Sequence, residues 1–217
     1  MPQLIPILQK DILYFPPIEN THPSGIVAIG GDLSIDRLKL AYRSGIFPWY
    51  EDGEPITWYS PKQRMVLFLS ELKVSKSMRN ILNRGHFKIT TNTAFREVIT
   101  NCQQIKRNDG YGTWITDDII EAYCSLHKEG LASSVEVWKD NLLVGGLYGV
   151  DNYPVFSGES MFSKTSNASK VAFIYLAQTL LDKNYKLLDC QVYNDHLHSL
   201  GAREIPRKEF STFLEHR

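Results

Sequence analysis

Between Ser133 and Gln191 the chain runs strand, tight turn, strand, strand, long helix, strand, and that order leaves few folds open. Ser133 to Trp138 alternates apolar and polar residues, the period of a strand with one face on a core. Lys139-Asp140-Asn141 is a turn, Leu142 to Val150 is the return strand, and Pro154 to Ser160 is a third. From Asn167 to about Leu181 the apolar residues Val171, Ile174, Tyr175, Leu176 and Leu180 fall on one helical stripe. Leu187 to Val192 then reads as a further strand. The expected fold is therefore α+β with a mixed sheet. Gly145-Gly146 and Gly149 do not form a dinucleotide-binding fingerprint; inside a strand they mark a bulge or a close backbone approach.

Upstream, capping residues place the helices. Ser34 caps a helix through about Ser44, with Gly45 just past its end. Ser75 or Ser77 starts a short basic helix that ends before Gly85, and Phe87 to Thr91 alternates like a strand. A helix spans Thr93 to about Gln103, and 104–112 is polar and reads as a mobile loop. Thr116 caps a helix with Asp117 and Asp118 in its first turn, which Gly130 closes. The segment from Gly45 to Pro61, rich in Gly, Pro and aromatics, reads as a shaped loop. A short helix follows Asn194, and a final one begins near Arg207. The division expected is a small N-terminal domain over 1–62 and a larger one over 63–217.

Composition removes several classes of function. No run of about eighteen apolar residues is present, so no membrane span is expected. The first residues lack a basic start and a small-residue cleavage site, so no signal peptide is read there. Cys102, Cys124 and Cys190 are widely spaced, with no zinc spacing, and are read as reduced cytoplasmic thiols. No GxxxxGK[ST] loop and no GxSxG elbow occur. His196 and His198 sit two apart, which does not put both on one helix face for a metal; no metal and no cofactor are expected. Formal net charge is zero, against a generic nucleic-acid coat. Yet Lys62, Arg64, Lys73, Lys76, Arg79, Arg84 and Lys88 face a single acid, Glu71, across one segment. That segment is either a solvated helix face or a phosphate-contacting patch.

The candidate chemistry lies at the end of the last apolar strand. Asp189 and Gln191 are two apart, so strand alternation sends them the same way. A buried polar group without a partner costs about 1–3 kcal/mol, so the pair is either a satisfied structural contact or a site. Trp49, Trp58, Tyr59 and Trp114 stand among Gly, Pro and Thr residues. They are either core tryptophans or stacking faces for a single-stranded nucleic-acid end.

The order of short motifs along the chain goes further. Ala28-Ile29-Gly30-Gly31-Asp32-Leu33-Ser34 is followed by Gly45-Ile46-Phe47-Pro48-Trp49, by Trp58 with Ser60-Pro61, and by Gly112-Thr113-Trp114-Ile115. Next come Glu136-Val137-Trp138, Gly158-Glu159-Ser160-Met161-Phe162-Ser163 and Asn167-Ala168-Ser169-Lys170. The series ends with Asp189-Cys190-Gln191, Asn194-Asp195-His196, Ser199-Leu200-Gly201-Ala202 and Glu204-Ile205-Pro206-Arg207. Each is weak alone. Together, in order over nearly the whole chain, they resemble the leucyl/phenylalanyl-tRNA–protein transferases.

That resemblance implies a small N-terminal α/β domain beside a C-terminal domain similar to GNAT acyltransferases. It implies transfer of Leu or Phe, with Met a further candidate, from aminoacyl-tRNA to the N-terminal Arg or Lys of a protein. The product carries an N-terminal degradation signal. The tRNA ester is already activated, so neither ATP nor an acyl-enzyme is needed, but the attacking α-amine must be neutral, and its free pKa is about 7.7–8.0. Carried over by position, Gln191 contacts the amine and Asp189 orients it or relays its proton. An alternative has the pair position the amine while a ribose hydroxyl moves the proton. Trp49 and Trp114 would sandwich the terminal adenine, and Phe156 and Met161 would line the amino-acid pocket. Glu159 would bind an amine or ribose group, or form a structural ion pair. Lys73, Lys76, Arg79 and Arg84 would contact tRNA phosphates. The resemblance implies a cytoplasmic protein without a membrane partner, and a monomer is the default.

Two departures from the family pattern stand out: Ser133 where a histidine is expected, and an end at Arg217, soon after Arg207. Two other readings stay open. A CoA-dependent N-acetyltransferase would want a Gly-rich pyrophosphate loop, and Ser163–Ser169 is not Gly-rich. A non-catalytic RNA-binding module would leave Asp189 and Gln191 without a role.

Overall fold

The computed structural model describes residues 4–105 and 114–214. The N-terminal part holds strands β1 (Ile7–Leu8) and β2 (Ile26–Gly30), helix α1 (Ile35–Arg43), and strands β3 (Phe47–Pro48) and β4 (Thr57–Tyr59). The strands form one sheet in the order β1-β2-β4-β3. The segment expected to be a shaped loop thus supplies two strands. The rest comprises β5 (Gln63–Phe68), α2 (Lys76–Asn83), β6 (Lys88–Thr91), α3 (Phe95–Gln104), α4 (Asp117–Lys128), β7 (Ala132–Lys139), β8 (Leu142–Asn152) and β9 (Val155–Ser163). These are followed by α5 (Ala168–Asp182), β10 (Leu187–Gln191), α6 (Asp195–Ser199), β11 (Arg203–Pro206) and α7 (Arg207–Thr212). Their strands make a second sheet in the order β11-β5-β10-β9-β8-β7-β6.

Local chemistry explains the helix starts. The hydroxyls of Ser34, Ser75 and Thr116 each accept a backbone N–H from three residues on, and the amide oxygen of Asn194 does the same for α6. Such a cap is worth about 1 kcal/mol. The turn between β7 and β8 has positive φ at both Asp140 and Asn141, as a two-residue hairpin requires. Gly149 on β8 answers a close approach: a Cβ there would overlap the Ser157 carbonyl and the Phe156 ring.

The second sheet is mixed, as expected. β6 through β9 are antiparallel, α5 crosses over, and β10 pairs parallel to β9. Beyond the expected elements, β5 inserts between β10 and β11, antiparallel to both. Apolar α5 packs on β7, β8 and β9 through Ala168, Val171, Ile174 and Ala177, covering one face of the sheet. On another part of the molecule α1, α3 and α4 share a core with the N-terminal sheet, in which Trp58 is fully buried. Among the described residues no helix is long and apolar enough to cross a membrane.

Parallel pairing of β9 and β10 ends at Ser157 and Asp189, while β9 runs on to Ser163. Each strand carries an extra residue just there. β10 shifts register between Asp189 and Gln191, and β9 shifts opposite Tyr148 and Gly149, where Glu159 is the residue left without a partner. Bulges bend and twist the strand that carries them, and the two strands part at the site.

Candidate active site

A cavity of about 530 Å³ opens where β9 and β10 separate. Glu159, Ser160 and Met161 of β9 line one side, and Leu188 to Val192 line the opposite side. Phe47, Pro48 and Trp49 from the N-terminal sheet close a third, with Trp114 beside them. Phe173 and Leu176 of α5, Leu147 of β8 and Leu197 of α6 make an apolar end.

Asp189 is fully buried and fully occupied. Arg64 holds it with two hydrogen bonds, Nε to Oδ1 at 2.8 Å and Nη2 to Oδ2 at 2.7 Å. Ser157 donates to Oδ2 at 3.1 Å, and the backbone N–H of Gln191 donates to Oδ1 at 2.9 Å. A carboxylate with four donors is satisfied as an anion in a dry place. The side-by-side arrangement expected from strand alternation is therefore corrected. The extra residue, Cys190, breaks the period of two, and Asp189 grips the main chain of Gln191 in place of standing next to its side chain.

Gln191 has φ of 64°, a left-handed conformation that costs a side-chain-bearing residue on the order of 1 kcal/mol. The Asp189 hydrogen bond secures it. Its amide Nε2 donates to Glu159 Oε1 at 2.8 Å. That leaves the amide oxygen, a neutral acceptor, on a residue that lines the cavity.

Glu159 also accepts from the Tyr123 hydroxyl at 3.3 Å, and the hydroxyls of Tyr123 and Tyr42 form a short hydrogen bond behind it. Burial pushes the Glu159 carboxyl up from 4.5 to about 8. Tyr42 pulls it back, the Asp189 charge pushes it further, and Arg64 and Tyr123 pull it down. Burial and the Glu159 charge raise both tyrosines well above their ordinary value, so they serve as hydroxyls.

The expected substrate residues divide. Trp49 is 41% exposed, and its ring lies 5.5 Å from that of Tyr59; Trp114 is buried, and both line the cavity. Gly112 and Thr113 of the Trp114 motif, and most of the loop expected over 104–112, lie outside the described residues. Met161 lines the cavity at partial burial. Phe156 does not: it lies in the core below the point where the strands part. Phe173 and Leu176 take the apolar position expected of it. The periodicity of α5 marked Leu176 as inward, though nothing local marked it as a cavity wall.

Lys73, Lys76, Arg79 and Arg84 are all exposed, on and beside α2. Arg64, a basic residue of the same segment, does not share that exposed face. The residue is 1% exposed, and its guanidinium lies between the rings of Phe47 and Phe210, 4.7 and 4.6 Å from their centroids. His198 Nδ1 lies 3.1 Å from the Ala202 carbonyl, and no metal-binding group of residues occurs among the described ones. All three cysteines are free.

Comparison with known proteins decides the family. Residues 66–215 match the model for leucyl/phenylalanyl-tRNA protein transferase, and residues 31–62 match the model for that family's N-terminal domain. The chain belongs to this family. It is 64% identical over 208 residues to the leucyl/phenylalanyl-tRNA–protein transferase of Flavobacterium johnsoniae, covering 96% of this chain and 98% of that one. To the transferase of that name from Pseudomonas putida strain W619 it is 50% identical over 211 residues, covering 96% and 93%. It is thus an enzyme of the transferase class, serving aminoacyl transfer from tRNA to protein. In fold it is similar to the crystal structure of FemX, with a TM-score of 0.50 at 9% identity over 79% of this chain and 66% of that one. The larger sheet combines an antiparallel meander, a crossover helix, and two parallel strands that part at the cavity.

Proposed function

We propose that the protein moves leucine or phenylalanine, with methionine a further donor, from its aminoacyl-tRNA to the N-terminal arginine or lysine of acceptor proteins. The bond forms by direct aminolysis without ATP, and the product carries a new N-terminal degradation signal. The observation that carries this reading is one cavity of about 530 Å³ with three kinds of wall. An apolar end of Met161, Phe173, Leu176 and Leu197 suits a Leu or Phe side chain, and flexible Met161 suits both shapes. Trp49 and Trp114 offer faces to the terminal adenine. The Gln191 amide oxygen accepts a hydrogen from the attacking amine.

In this mechanism the amine nitrogen attacks the ester carbonyl carbon, the C–N bond forms, and the C–O bond to the ribose breaks. The proton lost by the neutral amine ends on the ribose oxygen, so the step needs no other proton donor or acceptor. Gln191 positions the nucleophile and orients its lone pair, an effect worth several kcal/mol when the geometry is right. Asp189 acts through Gln191, since its oxygens are all engaged. Glu159 holds the Gln191 amide and faces the same space, where it can meet an ammonium group. Lys73, Lys76, Arg79 and Arg84 provide a phosphate-contacting face that is indifferent to tRNA sequence. Residues 1–62 and 63–217 serve as the two domains, and the protein works in the cytoplasm as a monomer.

The test is transfer of labelled leucine from Leu-tRNA, without ATP, to a peptide beginning with Arg and to one beginning with Ala. Label on the Arg peptide alone is expected. Equal labelling of both would overturn the acceptor rule, and labelling of neither by protein that binds Leu-tRNA would overturn the activity.

A further inference from the structure

The buried guanidinium of Arg64 touches both walls of the cavity. Through Nε and Nη2 it holds Asp189, whose Oδ1 takes the backbone N–H of Gln191 and keeps that residue left-handed. Through Nη1 it donates to the Gly45 carbonyl at 3.2 Å, and its plane lies over the ring of Phe47. Gly45 and Phe47 lead directly into Pro48 and Trp49, the stacking wall. Phe210 of α7 covers the other face of the guanidinium, and Gly45 itself abuts Phe210 and Leu214.

We infer that Arg64 is a positioning residue of the transfer reaction, a single buried cation that sets the spacing between the wall carrying Gln191 and the wall carrying Trp49. The inference rests on the proposed transfer activity. Three features of the guanidinium suit it. It is planar, so it stacks between two rings; it is a fork, so it grips both Asp189 oxygens; and its remaining nitrogen reaches a carbonyl on another element. A lysine has the charge but neither the plane nor the fork. Arg64 therefore transmits any displacement of Gly45 or α7 to the backbone of Gln191, although it reaches no substrate.

The consequence is separable in two measurements. Loss of the Asp189 grip slows the transfer step, because Gln191 loses its hold. Loss of the Gly45 and Phe47 contacts weakens binding of the tRNA end, because Trp49 shifts. Single-turnover rates at saturating Arg-peptide and dissociation constants for Leu-tRNA are to be measured for the wild type, Arg64→Lys, Asp189→Asn and the double variant, with melting temperatures alongside. Arg64→Lys is expected to slow transfer at least tenfold and weaken Leu-tRNA binding several-fold. In the Asp189→Asn background it should slow transfer no further, yet still weaken Leu-tRNA binding. Two rate losses that multiply, or Arg64→Lys with the wild-type rate and affinity, would overturn the inference. Phe210→Leu removes one face of the stack and keeps every hydrogen bond, so it decides the matter should Arg64→Lys fail to fold. Folded Phe210→Leu is expected to slow transfer several-fold, and an unchanged rate and affinity would count against Arg64. A wild type that moves no leucine would contradict the proposed function instead.

Discussion

Gln191 donates its side-chain amide to Glu159 across 2.8 Å, from the tips of two parallel strands that have just parted. That bond is the bridge over the mouth of the cleft. It fixes which end of the Gln191 amide faces Glu159 and turns the carbonyl end away from that carboxyl.

Replacing Gln191 with Ala removes the bridge and the acceptor together. The transfer rate is expected to fall about 100-fold, in the range of a misplaced nucleophile. Gln191→Asn tolerates the left-handed backbone but is one methylene short, so it should recover only part of the rate. Single-turnover transfer at saturating Leu-tRNA and Arg-peptide is the measurement.

Glu159 ties stability to pH. Its folded pKa of about 8 lies above the 4.5 of the unfolded chain, mainly through burial. Between those values the folded state binds the extra proton, so this group's contribution is present at low pH and lost as pH rises toward 8. Each pH unit within that window costs up to about 1.4 kcal/mol. Urea melts at pH 5.5 and 8.5 should show a smaller loss of stability with pH in Glu159→Gln than in the wild type. An equal loss in both would contradict the assigned shift.

Trp49 and Trp58, nine residues apart, stand in opposite surroundings, one partly exposed and the other fully buried. Truncating Trp49, partly exposed at the cavity, to Ala is expected to weaken Leu-tRNA binding by about 1–3 kcal/mol with little change in melting temperature. Trp58 is fully buried, packs edge-on against Phe15 and donates to the Gly30 carbonyl, so Trp58→Ala should cost about 3–5 kcal/mol of stability. Binding titrations and melts on both variants separate the two.

Lys76 and Arg79 lie exposed on α2, and neither lines the cavity. Changing either to Ala should weaken tRNA binding, reduce its salt dependence by about one ion, and leave the saturated transfer rate unchanged. Affinity measured across a salt series checks this, and an altered saturated rate would place these residues in the chemistry.

Met161 borders the apolar end of the cavity. Met161→Ala should enlarge it and shift preference from Leu toward Phe, by about 1–3 kcal/mol per methylene-sized change in fit. Competition between Leu-tRNA and Phe-tRNA for one acceptor peptide measures the shift.

Much of this protein was legible in consecutive residues. Ser34, Ser75, Thr116 and Asn194 each cap the helix that follows, and the alternation from Ser133 onward is a real meander. Those signals act over three or four residues, so they survive in any context the chain meets. The order of motifs added the family. What sequence alone could not settle is which polar groups meet. Arg64 and Asp189 are 125 residues apart, and nothing local distinguishes Arg64 from the exposed basic residues after it. Only the insertion of β5 beside β10 buries it, and only a buried guanidinium requires a carboxylate partner. The same holds for Phe156 and Phe173. Both are apolar residues on regular elements, but the parting of β9 and β10 leaves the first in the core and gives the second a cavity to line. Local periodicity determined what is buried; the bulges at Glu159 and Cys190, which depend on long-range strand pairing, decided what lines the cavity.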